Sequence, residues 1–375
     1  MNQVLESLKP TLQQTFQYLH ENPEISWQEV GTTKYLVDFL SAQGFEPVLF
    51  EDCPGFYIEI GEGPFCVGLR TDMDALWQEV NGTLQANHSC GHDAHMTMAV
   101  MTLLLLKELD YQPNGRLKVL FQPAEEKGEG ALKLVEKGLI DDIDFLYGVH
   151  LRPIQELQDG HASAGIQHGA ANVLRGKIFG QDAHAARPHL GTNAIEIGAA
   201  IMNHLNMIHL DPMVPHSVKM TSFQAGGEIG NSIPGSGTFL LDLRAQTNEV
   251  MQDLKSAVQK TVQKVSELYN VDITLSGNDG VAAAVIDSEA QQVMAEAVED
   301  TIGKDRLMPP IVTAGGEDFH FYTLKRPSLK AVMLGLGCDL KPGLHHPNMT
   351  FNEEALSTGV EILAKTIMNT FRTYG

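Results

Sequence analysis

The stretch NHSCGHDAH, residues 87–95, brings three histidines, one cysteine and one aspartate within nine positions. Thiolate, imidazole and carboxylate together suit zinc, and also manganese, cobalt or nickel. A redox-active thiol or a polar loop would also explain the stretch. In addition, a single cysteine is more often a small buried hydrophobe than a metal ligand. If these residues bind metal, further histidines and carboxylates must come from other parts of the chain.

Further candidate ligands lie at or just after predicted strands. The strands are predicted at residues 65–72, 116–122, 144–150 and 330–337. The groups that end or follow them are Asp72, the pair Glu125 and Glu126, His150, and the pair His345 and His346. Sites in open α/β sheets form outside the carboxyl ends of the strands, so we expect these side chains to converge.

The number of candidate ligands favours two metal ions over one. Cys90, His92, one glutamate, His150 and one C-terminal histidine exceed what a closed tetrahedral site holds. Two divalent ions that share a bridging ligand fit this number better, and a thiolate can bridge. Such a pair can activate water and polarise a carbonyl group.

The adjacent Glu125 and Glu126 can divide two tasks between them. Neighbouring side chains in extended backbone point in opposite directions, so one carboxylate can bind metal while the other acts as a general base. The alternative is a solvated loop, because the sequence EEKGEGA that starts with this pair is acidic and rich in glycine.

The order of predicted elements indicates an α/β protein with two domains. Outside the middle of the chain, strands separated by helices favour a mainly parallel sheet with helices on both faces. The helices are predicted at residues 2–20, 30–43, 95–110, 130–140, 288–303 and 353–371. We expect residues 1–169 and 281–375 to form one discontinuous catalytic domain.

The middle of the chain follows a different order. Its strands are predicted at residues 173–180, 218–227, 238–245 and 271–275, and its helices at 192–209 and 248–269. The order strand, helix, strand, strand, helix, strand is that of a ferredoxin-like split βαβ unit. We therefore expect residues 170–280 to form an inserted α+β domain that serves as a lid or a dimerisation surface.

The composition excludes several classes of partner. The chain has 26 basic and 47 acidic residues, a net charge of −21, which repels nucleic acid and anionic lipid. The N-terminus lacks the pattern of a secretory signal, and the most apolar run, residues 96–106, is too short to span a membrane. The four cysteines are scattered and do not suggest a disulfide framework. We expect a cytoplasmic protein.

Several motifs occur together in an order that is typical of one known family. They are RTDMDAL, SCGHDAH, FQPAEE, GVH, GQDAHAARPHLGTNAI, GGEIGNSIPG and LHHP. On these motifs the chain resembles, over nearly its whole length, the dinuclear-metal aminoacylases, which are amidohydrolases of metallopeptidase clan MH. That family includes hippurate hydrolases, indole-acetyl-amino-acid hydrolases and N-acetyl-diaminopimelate deacetylases.

The resemblance implies a role for each matching residue. The implied ligands of two divalent ions (zinc, manganese, cobalt or nickel) are Cys90, His92, Glu126, His150 and His345. The implied catalytic residues are Glu125 as general base, Asp72 as a carboxylate that orients a ligand, and His184 as a group that holds the oxyanion. The implied substrate-binding residues are Asn231 and Arg244, and arginine is the natural bidentate partner of a carboxylate.

Two positions depart from the pattern of the family. Many broader relatives carry a metal-binding histidine where this chain has Arg70, so Arg70 is not expected to be a ligand. Trp77 follows DMDAL where proline is common, and a large aromatic side chain there would narrow or redirect an acyl pocket. Plain core packing is the alternative role for Trp77.

The resemblance implies a metal-dependent amidohydrolase that cleaves N-acyl amino acids or similar small amides. A dipeptidase or carboxypeptidase on small peptides would share the site and differ in its pocket. A non-catalytic solute-binding protein fits less well because it needs no catalytic carboxylates, and a redox protein lacks a second cysteine near Cys90. The expected partners are a small N-acyl amino acid and a second copy of the chain, bound through the inserted domain.

Overall fold

A computed structural model describes residues 1–375, apart from the side chain of Asn278. The helices are α1 (Asn2–Glu21), α2 (Val30–Ala42), α3 (His92–Glu108), α4 (Gly130–Glu136), α5 (Ala194–Leu205), α6 (Asn248–Tyr269), α7 (Ser288–Ile302), α8 (His320–Lys325) and α9 (Ala355–Tyr374). The strands are β1 (Val48–Leu49), β2 (Phe56–Gly61), β3 (Cys66–Asp72), β4 (Leu76–Val80), β5 (Thr83–Asn87), β6 (Arg116–Gln122), β7 (Phe145–Pro153), β8 (Ala162–Ser163), β9 (Ile166–His168), β10 (Ala170–Phe179), β11 (Ala183–His184), β12 (His216–Ala225), β13 (Ser232–Ile233), β14 (Ser236–Ala245), β15 (Asp272–Val281), β16 (Leu307–Met308), β17 (Ile311–Thr313) and β18 (Lys330–Leu340).

The chain divides into two compact units. Unit 1 contains Met1–Gln167, Val285–Val312 and Asp318–Gly375, and unit 2 contains His168–Ala284 and Thr313–Glu317. The use of the first unit as a catalytic domain and of the second as a lid or dimerisation domain stays a prediction. No helix among the described residues combines the length and the apolar character that crossing a membrane requires.

Unit 1 is built on an eight-stranded sheet in the order β1-β2-β6-β3-β7-β18-β8-β16. Its centre is parallel, with β3 between β6 and β7 and with β18 beside β7. Successive residues of the central strands enter opposite cores: Val67 faces one core and Cys66 the other, and Val332 and Met333 divide in the same way. Helices cover both faces, which confirms the predicted fold class and explains the nearly continuous apolar runs of these strands.

Some elements of unit 1 differ from the prediction. Helix α3 begins at His92 rather than at residue 95, because Gly91 adopts a left-handed backbone (φ 88°) directly before it. Residues 76–87 form a hairpin, β4 paired with β5, that the sequence pattern did not reveal. Strand β2 was also missed, and it extends the sheet antiparallel to β6.

Unit 2 has the predicted split βαβ order, β10-α5-β12-β14-α6-β15. Its four main strands form an antiparallel sheet in the order β12-β14-β10-β15. Helices α5 and α6 contribute apolar residues such as Ile197, Ile201, Leu254 and Val258 to a core shared with β10 and β14. The alternation of buried and exposed residues along β10 and β14 fits a sheet with one face covered.

A close contact in unit 2 yields a stability prediction. Gly176 of β10 pairs with Phe239 of β14, and a Cβ atom at Gly176 would lie 2.0 Å from Phe239 Cζ. We expect Gly176→Ala to displace this buried ring and to lower the free energy of unfolding by about 1–3 kcal/mol. Chemical denaturation followed by circular dichroism measures the change. The control is Gly227→Ala, where a Cβ meets nothing within 4 Å, and equal midpoints for the two variants would contradict the packing argument.

Candidate metal centre

The opening motif folds into a turn and the first residues of α3. A side chain at Gly91 would need both an unfavourable φ and space beside Leu151 Cδ1, which would lie 3.1 Å from its Cβ. Cys90 and His92 flank this glycine and are both buried. The left-handed turn at Gly91 therefore lies between a thiol and an imidazole that belong to one group of candidate ligands.

The ends of neighbouring strands supply the carboxylates and a second imidazole. Strands β3 and β6 are parallel with Asp72 opposite Gln122, so the residues that follow the two strands are neighbours. Asp74 Oδ1 accepts a hydrogen bond from Glu125 N (3.1 Å), and Asp74 Oδ2 accepts one from Glu126 N (3.0 Å). Asp74 thus fixes the backbone of the glutamate pair.

The structure brings all five predicted ligands together in two groups that share Cys90. One group is Cys90, His92 and His150, the other is Cys90, Glu126 and His345, and within each group the ligand atoms lie within 4.8 Å of one another. Cys90 Sγ is 3.7 Å from His150 Nε2, and His345 Nε2 is 3.6 Å from Glu126 Oε1. The two sets of three candidate ligands thus have one thiol in common.

Two buried atoms support the fit of this ligand set to metal. Among the described residues, neither His92 Nε2 nor Glu126 Oε1 has a hydrogen-bond partner, and the two atoms are 3.9 Å apart. Buried polar atoms are normally paired, so a bound partner is expected for these two atoms. A divalent cation is a partner that both an imidazole nitrogen and a carboxylate oxygen accept.

Hydrogen bonds to the rings of the candidate ligands His92 and His150 fix their orientation. His92 Nδ1 donates to Asp74 O (2.8 Å) and His150 Nδ1 donates to Leu151 O (2.7 Å), which turns Nε2 of each ring toward the other ligands. His95 accepts from Leu151 N at Nε2 (3.0 Å) and donates from Nδ1 to Asp72 Oδ1 (2.8 Å). Such outer contacts set the tautomer and direction of metal-binding histidines.

Burial shifts the pKa values of three candidate ligands. Burial raises the pKa of the Cys90 thiol well above its ordinary value, and the charge of Glu126 adds to the shift. Burial raises the pKa of Glu126 to about 7. Burial lowers the pKa of His150 well below its ordinary value, so that ring is neutral at neutral pH. A divalent cation would stabilise the deprotonated thiolate and carboxylate and bind the neutral imidazole.

Glu125 lies beside the ligands without belonging to either group that shares Cys90. Its Oε1 accepts a hydrogen bond from Asp318 N (3.2 Å), and its Oε2 lies 3.8 Å from His92 Nε2. Glu126 forms a group with His345 and Cys90, and both glutamates also form a group with His92, so the division of the pair into a ligand and a general base stays a prediction.

Three buried groups around the site were not predicted from the sequence. Asp74 is the second acid of DMDAL, and its spacing from Asp72 was a signal that could have been used. Glu29 Oε1 accepts from Ala124 N (2.8 Å), and burial raises the pKa of Glu29 to about 8. Asp318 reaches Glu125 from a distant part of the chain. No local pattern marks Glu29 or Asp318.

Asp93 and His88 of the opening motif lie outside the five candidate ligands. Asp93 is buried and pairs with His20, whose Nδ1 lies 2.6 Å from Asp93 Oδ2. Burial lowers the pKa of His88 to about 4.

Trp77 lies on β4 with 60% of its surface exposed, which excludes plain core packing as its role within the described chain.

The other predicted site residues lie in unit 2. His184 is in β11, which pairs with β13 so that His184 is opposite Ser232, and Ala185 N donates to Asn231 O (2.9 Å). The structure thus brings His184 and Asn231 near each other. Arg244 is on β14, where its guanidinium donates to both carboxylate oxygens of Asp242 (2.9 and 3.0 Å).

Comparison with known proteins reveals relatives along most of the chain. The chain is 29% identical to N-acetyl-L-cysteine deacetylase of Bacillus subtilis, over 94% of its own length and 86% of the relative. It is 29% identical to IAA-amino acid hydrolase ILR1-like 4 of Arabidopsis thaliana, over 92% of the chain and 82% of the relative. A Rhodococcus jostii protein named "Putative glutamate--cysteine ligase 2-3" is 32% identical over 92% of the chain, which spans only 45% of that relative.

A solved structure shares the fold. A protein from Bacillus subtilis, described as a dinuclear metal-binding peptidase from the M20 family, superposes with a TM-score of 0.84 at 23% identity and covers 98% of this chain and 99% of its own. The sequence model of one family matches residues 68–369, well over half of the chain. This protein therefore belongs to peptidase family M20/M25/M40.

Proposed function

We propose that this protein is a metal-dependent amidohydrolase that cleaves the amide bond of N-acyl amino acids or similar small amides. The observation that carries the proposal is the pair of three-ligand groups that share Cys90, with Glu125 beside them. Relatives named as an IAA-amino acid hydrolase and an N-acetyl-L-cysteine deacetylase support this substrate class.

Five side chains would hold two divalent ions: Cys90, His92, Glu126, His150 and His345. The solved relative described as dinuclear supports the number of ions. Bound ions supply Lewis acidity that lowers the pKa of water and polarises a carbonyl group. The thiolate, imidazole and carboxylate set suits zinc, manganese, cobalt or nickel.

Glu125 would move the protons of the reaction. Its carboxylate takes a proton from the attacking water and later gives it to the leaving amine, so that the amide C–N bond breaks with no net change in the enzyme. Oε1 is held by the Asp318 N–H, and Oε2 is the oxygen turned toward His92. Proton transfer at Oε2 is consistent with this arrangement.

The recognition of substrate is proposed for residues of unit 2. His184 would donate to the oxyanion, and Asn231 and Arg244 would bind the substrate carboxylate. The pairing of Arg244 with Asp242 presents a preformed, oriented guanidinium on the exposed face of β14. A homodimer through unit 2 is proposed because β12 is an edge strand of its sheet, and edge strands offer unpaired backbone groups. A cytoplasmic location also stays a prediction.

A substrate panel tests the reaction class. We expect the protein loaded with zinc, manganese, cobalt or nickel to hydrolyse N-acetyl, N-benzoyl or longer N-acyl amino acids faster than dipeptides. Release of the free amino acid is measured. Faster cleavage of dipeptides would favour the peptidase alternative, and no cleavage of any amide with any of these metals would reject the proposal.

The assignment of Glu125 as base predicts a loss of turnover with intact metal binding. We expect Glu125→Gln to lower kcat by about 10²–10⁴-fold, the usual contribution of a general base. Metal content, measured by elemental analysis, should stay the same. The control is Glu129→Gln, which changes an exposed carboxylate that accepts from Trp27 Nε1. Near-normal turnover in Glu125→Gln would remove Glu125 from this role.

The shared position of Cys90 predicts that its loss weakens both groups of ligands. We expect Cys90→Ser to lower the metal content after dialysis, because the hydroxyl is a poorer ligand than a thiolate and both groups lose their common member. Cys53→Ser, at a half-buried cysteine outside the site, is the control. An unchanged metal content in Cys90→Ser would exclude Cys90 from the ligand set.

A further inference from the structure

Arg70 is a buried residue near the candidate metal centre, and its guanidinium binds three other side chains. Its side chain is fully buried and donates from three nitrogens: Nε to Gln122 Oε1, Nη1 to Asp72 Oδ2 and Nη2 to Asp318 Oδ1, each at 2.7 Å. One guanidinium thus serves two buried carboxylates and an amide from three different segments of the chain. Arg70 was not expected to be a metal ligand, and no other role was predicted for it.

The Asp318 carboxylate is held by several donors at once. Besides Arg70, Gln122 Nε2 donates to both of its oxygens (2.9 Å each), and Ala131 N donates to Oδ2 (2.8 Å). Its side chain is fully buried. These contacts fix the whole residue, including its backbone N–H.

That backbone N–H is the group that meets the proposed base. Asp318 N donates to Glu125 Oε1 (3.2 Å), while Asp74 holds the Glu125 backbone from the other side. Asp318 therefore contacts Glu125 with its main chain and Arg70 with its side chain. Two successive hydrogen bonds, both made by Asp318, therefore connect Arg70 to the Glu125 carboxylate that would carry the proton.

A second series of hydrogen bonds connects Arg70 to the backbone beside the candidate ligand His150. Asp72, bound to Arg70 Nη1, accepts from His95 Nδ1 at its second oxygen, and His95 Nε2 accepts from Leu151 N next to His150. One planar cation thus ties the orientation of Glu125 to the orientation of the ligand side. Lysine could not do this, because its ammonium offers no rigid fork.

We propose that Arg70 is a positioning residue which, through the Asp318 side chain and backbone N–H, holds Glu125 in a single orientation for proton transfer. The inference rests on the proposed role of Glu125. It adds a function for Arg70 and Asp318, neither of which would touch substrate. The physical basis is that displacing a reacting group by a small distance costs rate even when all reacting groups remain present.

The test compares Arg70→Lys with Arg116→Lys in the metal-loaded, full-length protein. Arg116 is the control. It is partly exposed, and its guanidinium also binds three acceptors (Gly63 O, Glu59 and Asp142), but at the start of β6, whereas Gln122 ends that strand. We expect Arg70→Lys to lower kcat by about 10- to 100-fold. KM and metal content should stay within about twofold, and Arg116→Lys should keep the wild-type kcat.

A second comparison separates positioning from general damage. In a Glu125→Gln background, Arg70→Lys should cost little further turnover, because residues that act through one group are not additive. The inference would be falsified if Arg70→Lys lowered kcat equally in both backgrounds, or if it acted through lost metal.

Crystal structures give a readout that does not depend on activity. In Arg70→Lys we expect the Asp318 N to Glu125 Oε1 contact to be lost or Glu125 to occupy more than one rotamer. An unchanged Glu125 overturns the inference even if no amide is hydrolysed, so its failure is distinguishable from failure of the proposed reaction. If Arg70→Lys does not fold, Asp318→Asn removes the same ion pair with an isosteric side chain and is judged by the same criteria.

Discussion

Ionisable side chains that are packed together away from water must find their charge partners within the protein, and the candidate site depends on this constraint. Arg70, Asp72, His92 and Asp318 are all fully buried. An unpaired charge in such surroundings is strongly destabilising, so each group fixes the position of the next. In the proposed site, the contacts that satisfy these charges would also orient the candidate ligands and Glu125.

The fold meets this constraint by bringing strand ends to one place. The parallel strands β3, β6 and β7 put Asp72, the glutamate pair and His150 at neighbouring positions. Local backbone then aims the side chains. Gly91, Ala124 and His345 all adopt positive φ values next to or within the ligand set. Left-handed backbone at a non-glycine residue is unfavourable, and it persists where surrounding contacts hold it, as they do here.

Much of the fold followed from the sequence because its signals are local. The parallel strands read as short apolar runs between helices, and both cores of unit 1 use successive residues of those runs. The split βαβ order of unit 2 was also predicted correctly. The hairpin at residues 76–87 was missed because β4, LWQEV, does not alternate apolar and polar residues along its sequence, and because Trp77 and Leu84 are exposed. Family membership confirms the predicted resemblance and hydrolase class.

The sequence by itself determined the kinds of groups available for chemistry and the strand ends near which they lie, because residue type and apolar periodicity are properties of short segments. It also placed five ligand candidates that the structure gathers around Cys90. Only the tertiary structure decided which carboxylates stand behind them. Asp318 meets Arg70 across 248 residues, and Asp74 reaches Glu125 across 51. Such contacts depend on the register of neighbouring strands and on how loops pack over them, and neither is encoded in any short stretch of sequence.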